Sequence, residues 1–315
     1  MSLDRVVQPL VACLGNPVGG NPTQFVMTRL VREAELDWRF FTSEVPPELF
    51  ETAFRGIQAL GMSGAAILPP FQSSMESYLG SISPKAKALG VVQVAKWESN
   101  QWIGDETLTN AMLRSLTHRI SSLVEQHSTD TQDTFSPQSI GVVGSAGLVQ
   151  ALELSRADIP GDYSVFPFDL ANRKSNQSQN HTQPETPTAE PSGVEQAHEQ
   201  APEEPDDSSD RPIKALIIEG FDAIMGLSSH ARGRLLKEAN WAHSPLAIFA
   251  PPPTGWIEAT KERSQLIEEL ESRGLSILDE LDVLTQQFAL NFEFWTGYEA
   301  PLDSIRESLE EYLQW

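Results

Sequence analysis

Four short stretches carry side chains placed where they could do chemistry. The first is Gly64-Ala65-Ala66-Ile67-Leu68-Pro69-Pro70-Phe71-Gln72, an apolar run of strand length that ends in two prolines. Proline has no N–H to give a ladder, so the strand stops there. Ser73-Ser74-Met75-Glu76-Ser77 follows, with hydroxyls suited to capping a helix start. Gln72 thus stands between a strand end and a helix start, the place of the ligand crevice in an open α/β sheet. Its amide can give and take hydrogen bonds but has no proton to transfer. The second stretch, Gly104-Asp105-Glu106-Thr107-Leu108-Thr109-Asn110, also opens a helix and aims at the same place. Asp105 and Glu106 are its titratable groups. The third, Gly19-Gly20-Asn21-Pro22-Thr23, is a loop in which Thr23 can cap a helix running to about Ala34. The fourth, Ile140-Gly141-Val142-Val143-Gly144-Ser145-Ala146-Gly147-Leu148-Val149, is a strand, a glycine turn and a helix start. That is the first βα unit of a dinucleotide-binding fold, where glycine lets a pyrophosphate approach a helix N-terminus. A glycine turn used only for packing explains the same residues.

In this order and spacing the motifs resemble the shikimate dehydrogenase family. The family pattern is Gly-Asn-Pro with Ser-x-Ser, then Asn-Val-Thr-x-Pro-x-Lys, Gly-Ala-x-Asn-Thr and Gly-x-Asn-Thr-Asp-Gly. Gly15-Asn16-Pro17 stands unchanged. The resemblance puts the catalytic lysine on Gln72 and the catalytic aspartate on Leu108. It puts the serines that hold the shikimate carboxylate on Asn21 and Thr23, both still able to hydrogen-bond an oxyanion; a turn and a helix cap account for them equally. A substrate-binding threonine falls on Leu68, an asparagine on Gln93 and the substrate-binding glutamine on Gln287. For the cofactor it implies NADP at Gly144, Ser145, Ala146 and Gly147, with Ala146 in place of a glycine. Asn172-Arg173-Lys174 resembles the Asn-Arg-Thr whose arginine reaches the NADP 2′-phosphate, and equally the charged edge of a linker. Asp169 is near the spacing of a ribose anchor. Glu219-Gly220-Phe221 replaces Asn-Ala-Thr, and Glu280 and Asp282 replace two glycines.

The family reduces a ring ketone with hydride from NADPH and a proton placed by the lysine and aspartate. With glutamine and leucine there, the resemblance implies a catalytically impaired member with a residual ligand- or partner-binding role. One alternative is an active NADP-dependent oxidoreductase acting on 3-dehydroshikimate or a related cyclic keto acid of aromatic amino acid biosynthesis, with Glu106 as relocated acid. Another is a scaffold that works through an acidic linker.

The elements that must position these residues follow from periodicity. Leu10–Gly15, Trp38–Thr42, Tyr163–Phe168, Lys214–Gly220, Leu246–Ala250 and Leu275–Leu278 are strand-length apolar runs. Pro46–Leu60, Glu106–Gln126, Lys261–Arg273 and Pro301–Leu313 have helical spacing, and Gly274 ends the third. Trp97 and Trp102 flank a hairpin turn at Glu98-Ser99-Asn100 as packing aromatics. The fold class is α/β. A substrate-type α/β domain spans 1–112 and is completed by 282–315; a Rossmann-like, doubly wound parallel-sheet domain spans 113–281. Residues 175–210 have no periodicity and are rich in Gln, Pro, Glu and Asp, so they are expected to be a disordered acidic insert.

At 315 residues the chain can bury two cores. A formal charge of -22 argues against nucleic acid and anionic membrane surfaces as partners. A small-molecule ligand is the expected partner, with a protein partner through the acidic linker as a further one. Cys13 is the single cysteine, so no disulfide framework is expected, and the six histidines, His118 among them, show no metal-ligand spacing. No leader-like or membrane-length apolar run is present, and a cytoplasmic location is expected.

Overall fold

The computed structural model describes residues 8–126, 138–156, 162–167, 212–219, 241–251 and 261–314. Asn172, Arg173, Asp169 and the acidic stretch 175–210 lie outside the described residues.

The first sheet is built on β1 (Leu10–Gly15), which lies between β2 (Arg39–Glu44) and β3 (Gly64–Ile67), parallel to both. A parallel strand needs cover on both faces, and Val11, Ala12, Cys13 and Leu14 are all buried. The crossovers are α1 (Thr23–Glu33) and α2 (Phe50–Ala59). β4 (Ser81–Ile82), α3 (Pro84–Leu89), β5 (Val94–Glu98) and β6 (Gln101–Asp105) complete the layer, in the order β2-β1-β3-β5-β6-β4. β5 runs antiparallel to β3 and β6. Ser99 and Asn100 both have positive φ, the backbone of a two-residue hairpin turn. The turn sets Trp97 opposite Trp102, as the sequence predicts.

α4 (Leu108–Gln126) leads to the second sheet of β7 (Gln138–Val143), β8 (Tyr163–Pro167), β9 (Ile213–Ile218), β10 (Trp241–Phe249) and β11 (Ser276–Leu278). Its order is β11-β10-β9-β7-β8 and every pairing is parallel. The order turns back at β7, so the carboxyl ends of β7 and β9 bound the switch point where open sheets bind ligands. α5 (Ala146–Ser155) follows β7, and α6 (Lys261–Ser272) precedes β11. α7 (Glu280–Thr296) and α8 (Leu302–Leu313) then return to the first sheet.

Cys13, Met27, Leu30 and Phe40 pack with Leu284, Phe288, Phe292 and Trp295 of α7 on one face of the first sheet. Trp295 Nε1 donates to Ala95 O at 3.1 Å. Gly64 has to be glycine beneath it, since a Cβ there would lie 2.6 Å from the indole. Leu14, Phe54, Ile67, Phe71 and Trp102 fill the opposite face. Met112, Leu113 and Leu116 of α4 join Ile140, Ile217 and Ile248 in the second core. α7 therefore serves both sheets, because Val283 lies in the second core and Leu284 in the first.

Three local expectations are corrected. Gln72–Tyr78 is a 3₁₀ helix with Phe71 at its N-cap, and no serine caps it. The hydroxyls of Ser74 and Ser77 donate instead to the carbonyls of Phe71 and Ser74, the local bonding by which serine competes with a regular helix. Thr23 does not cap α1: Pro22 is the N-cap residue, and Asn21 Oδ1 accepts from Thr23 N–H at 3.0 Å. The Pro46–Leu60 helix is split, with a 3₁₀ turn at Pro47–Leu49 ahead of α2.

Candidate functional site

The end of β3, the start of α4, the loop before α1 and the inner face of α7 converge on one cavity between the sheets. Asn21, Thr23, Leu68, Gln72, Gln93, Leu108 and Gln287 all line it. The free volume is only about 60 Å³, room for a few water molecules, whereas ligand pockets run to about 300–1,000 Å³.

Hydrogen bonds among amides explain why so little space is left. Gln72 Nε2 donates to Ile67 O at 2.9 Å, which folds the side chain back on its own strand. Gln93 Oε1 accepts from the N–H groups of Thr107 at 3.0 Å and Leu108 at 3.2 Å, and from Gln287 Nε2 at 3.3 Å. It thereby satisfies unpaired donors at the N-terminus of α4. Thr107 Oγ1 donates to Asn291 Oδ1 at 2.7 Å. Asn291 and Pro251 also line the cavity and were not singled out from the sequence. Asn291 had a readable signal, lying four residues after Gln287 on the same helix face. Leu68 is buried in the first core, and Gly15 must lack a Cβ because one would lie 2.7 Å from Leu68 Cβ. Thr23 turns inward beside Cys13, whose thiol is 3.9 Å from Asn21 Oδ1. Burial pushes the Cys13 thiol up to about 12, against smaller downward pulls from Thr23 and Thr42.

The titratable groups of the second turn lie off this cavity. Glu106 is fully buried, accepts from Thr109 N–H at 3.1 Å, and is hydrogen-bonded to the Thr109 hydroxyl. Desolvation raises its pKa, with the Thr109 bonds pulling the other way. It acts as a cap for α4 and is not among the described residues that line the cavity. Asp105 accepts from Glu106 N–H at 2.8 Å and is hydrogen-bonded by Ser83, the N-cap of α3.

At the glycine turn of the second domain, Ser145 is the N-cap of α5 and Ala146 its first residue. Ser145 N–H and Ser145 Oγ donate to the Glu219 carboxylate, which follows β9, at 2.5 and 2.8 Å. Gly144 faces Glu219, and Gly147 faces α3 of the first domain. Asn172 and Arg173 lie outside the described residues, so no cofactor contact is assigned to them. Glu280 is buried and ion-paired with Arg263, which sits over the Phe249 ring. Asp282 accepts from Arg306 of α8 at 2.5 Å. Among the described residues, no three His, Cys, Asp or Glu side chains gather as a metal site, and no helix is long and apolar enough to cross a membrane.

A second, open groove of about 770 Å³ runs beside α1, from Gly19 and Gly20 to Tyr312 of α8. Arg29 on its wall is ion-paired with Glu33, Glu307 and Glu311.

Residues 13–94 match the family model described as the shikimate dehydrogenase substrate binding domain. The NADP(+) shikimate dehydrogenase of Bacillus licheniformis is 24% identical over 311 residues, 98% of each chain. Among solved structures, an Ael1 enzyme from Pseudomonas putida superposes with a TM-score of 0.63 at 13% identity, covering 96% of this chain and 98% of that one. The Thermus thermophilus shikimate 5-dehydrogenase, solved with NADP(H) and shikimate, superposes at 0.56 and 15% identity, covering 97% and 100%.

Proposed function

We propose, for a chain that is shikimate dehydrogenase-like in sequence and fold, that the dehydrogenase chemistry is lost and a ligand- or partner-binding role is left. The observation that carries this reading is the cleft: about 60 Å³, walled by amides, aliphatic groups, the Thr23 hydroxyl and one phenyl ring, with no titratable side chain among the described residues that line it. Reducing a ring ketone takes a hydride and a proton delivered to the oxygen. A placed proton donor contributes roughly a hundred- to ten-thousand-fold, and neither Gln72 nor Leu108 has a proton to give. The active-oxidoreductase alternative needs another acid on the cleft, and Glu106 lies off it.

The relatives' cofactor does not fit the residues that would hold it. NADP supplies hydride chemistry when bound, and its phosphates would take the Ser145 N–H and hydroxyl that Glu219 already holds. The open groove beside α1 has a volume in the range of ligand pockets and is the candidate place for a small molecule. The acidic stretch 175–210, read from sequence alone, is the candidate segment for a protein partner. Its deletion should abolish capture of that partner, and unchanged capture refutes this part of the reading.

Thermal unfolding with shikimate, quinate, NADP(H) and NAD(H) tests the reading. A ligand at a hundred times its dissociation constant adds about 2.7 kcal/mol of stability. No shift is expected with any of the four. A saturable shift with shikimate together with NADPH contradicts the reading.

A further inference from the structure

At the switch point of the second sheet the chain supplies its own anion. A helix N-terminus offers unpaired N–H groups and partial positive charge, and a carboxylate or a phosphate can satisfy both. The Glu219 carboxylate accepts from Ser145 N–H at 2.5 Å and from Ser145 Oγ at 2.8 Å. Ser145 Oγ in turn accepts from Leu148 N–H at 3.2 Å, so one serine ties the first turn of α5 to Glu219. Gly144 is accounted for by the same contact, since a Cβ there would lie 2.7 Å from Glu219 Oε2. Gly147 is accounted for by another, since its Cβ would lie 2.6 Å from the Ala88 carbonyl oxygen of α3. Both glycines serve close approach of the chain's own atoms.

We infer that Glu219 is a built-in substitute for phosphate, which occupies the anion position of the glycine turn and keeps a dinucleotide pyrophosphate out. The inference deepens the reading that NADP does not fit, and rests on it, but uses atoms separate from the cleft. An incoming phosphate would meet a carboxylate of its own sign at hydrogen-bond range. It would also have to displace two hydrogen bonds from Ser145.

The full-length chain as wild type, Glu219→Gln and Glu219→Ala is titrated with sodium pyrophosphate and, separately, with NADP+, by calorimetry and thermal unfolding at constant ionic strength. The wild type should give no saturable response. Glu219→Ala should bind pyrophosphate about two- to fivefold more tightly than any wild-type binding, the order expected for one exposed charge at a helix N-terminus, and its Tm should rise with pyrophosphate. Glu219→Gln should fall between. Equal binding by wild type and Glu219→Ala overturns the inference, and so does a folded Glu219→Ala that gains none. Should Glu219→Ala not fold, Glu219→Gln decides alone, a gain supporting the inference and no gain refuting it. Dinucleotide turnover by the wild type overturns both this inference and the proposed function. Variants without gain, beside a wild type without turnover, overturn this inference only.

Discussion

The interdomain cleft and the glycine turn each contain a helix N-terminus, and the two are satisfied by different chemistry. In the cleft, the first donors of α4 are taken by the neutral carbonyl of Gln93, with the buried Glu106 behind it. At the glycine turn, the charged carboxylate of Glu219 takes the N–H and hydroxyl of Ser145, the N-cap of α5, and the Ser145 hydroxyl takes the Leu148 N–H. An amide network fills the cleft by linking its own walls, so little free volume is left. A carboxylate leaves the turn's backbone shape intact and occupies only its anion position. A helix end that points into a crevice therefore is not by itself a ligand site, because the chain can terminate it from within.

The largest expected effect lies at the turn. Gly147→Ala should cost about 1–3 kcal/mol in urea unfolding, the usual range for overpacking, because the neighbour at 2.6 Å is backbone. Gly19→Ala, with nothing within 4 Å of its Cβ, is the control and should be near neutral. A neutral Gly147→Ala would mean that the glycine is kept for a ligand.

In the cleft, Gln72→Ala removes the bond to Ile67 O and should cost about 0.5–1.5 kcal/mol, the net worth of one such bond. An unchanged unfolding midpoint would show that Gln72 is free to turn toward a ligand.

Glu106 sharpens the contrast through pH. Its folded pKa is raised by desolvation above its ordinary value of 4.5. The folded chain thus holds this proton more tightly than the unfolded chain. Its contribution is fully present below about that ordinary value and is lost as pH rises toward the folded pKa. Glu106→Gln should match wild type near pH 4, exceed it increasingly as pH rises toward the folded pKa, and hold a constant margin above that, in urea unfolding. A pH-independent difference would refute the assignment.

A smaller effect is expected in the core behind the cleft wall. With its pKa at about 12, the Cys13 thiol should react with an aromatic disulfide only after unfolding, since reactivity follows the thiolate. Rapid labelling of the folded chain would show that the wall opens. The smallest expected effect is none at all: Gln72→Lys with Leu108→Asp should not gain dinucleotide turnover, because Glu219 still holds the α5 N-terminus.

Much of the cleft was legible because its residues are fixed by local signals. Two prolines end β3 next to Gln72, a glycine-rich loop carries Asn21, and Gln287 falls on the cleft face of a strongly patterned helix. Both sheets were legible from strand-length apolar runs joined by helical spacing. The serines after Gln72 misled because hydroxyl capping and hydroxyl-to-carbonyl bonding compete on equal sequence terms. Cleft volume could not be read, since it depends on how Gln93, Gln287 and Asn291 meet across 14 to 194 residues. The Ser145–Glu219 contact spans 74 residues and exists because β7 and β9 are neighbours. Strand order, not any local motif, creates it.

The most direct measurement of the central claim is a rate. Purified chain is incubated with NADP+ or NAD+ and either shikimate or quinate, and formation of the reduced nicotinamide is followed against a protein-free blank. The account predicts no rate above the blank with any pair. A saturable, protein-dependent rate with either acid would contradict it.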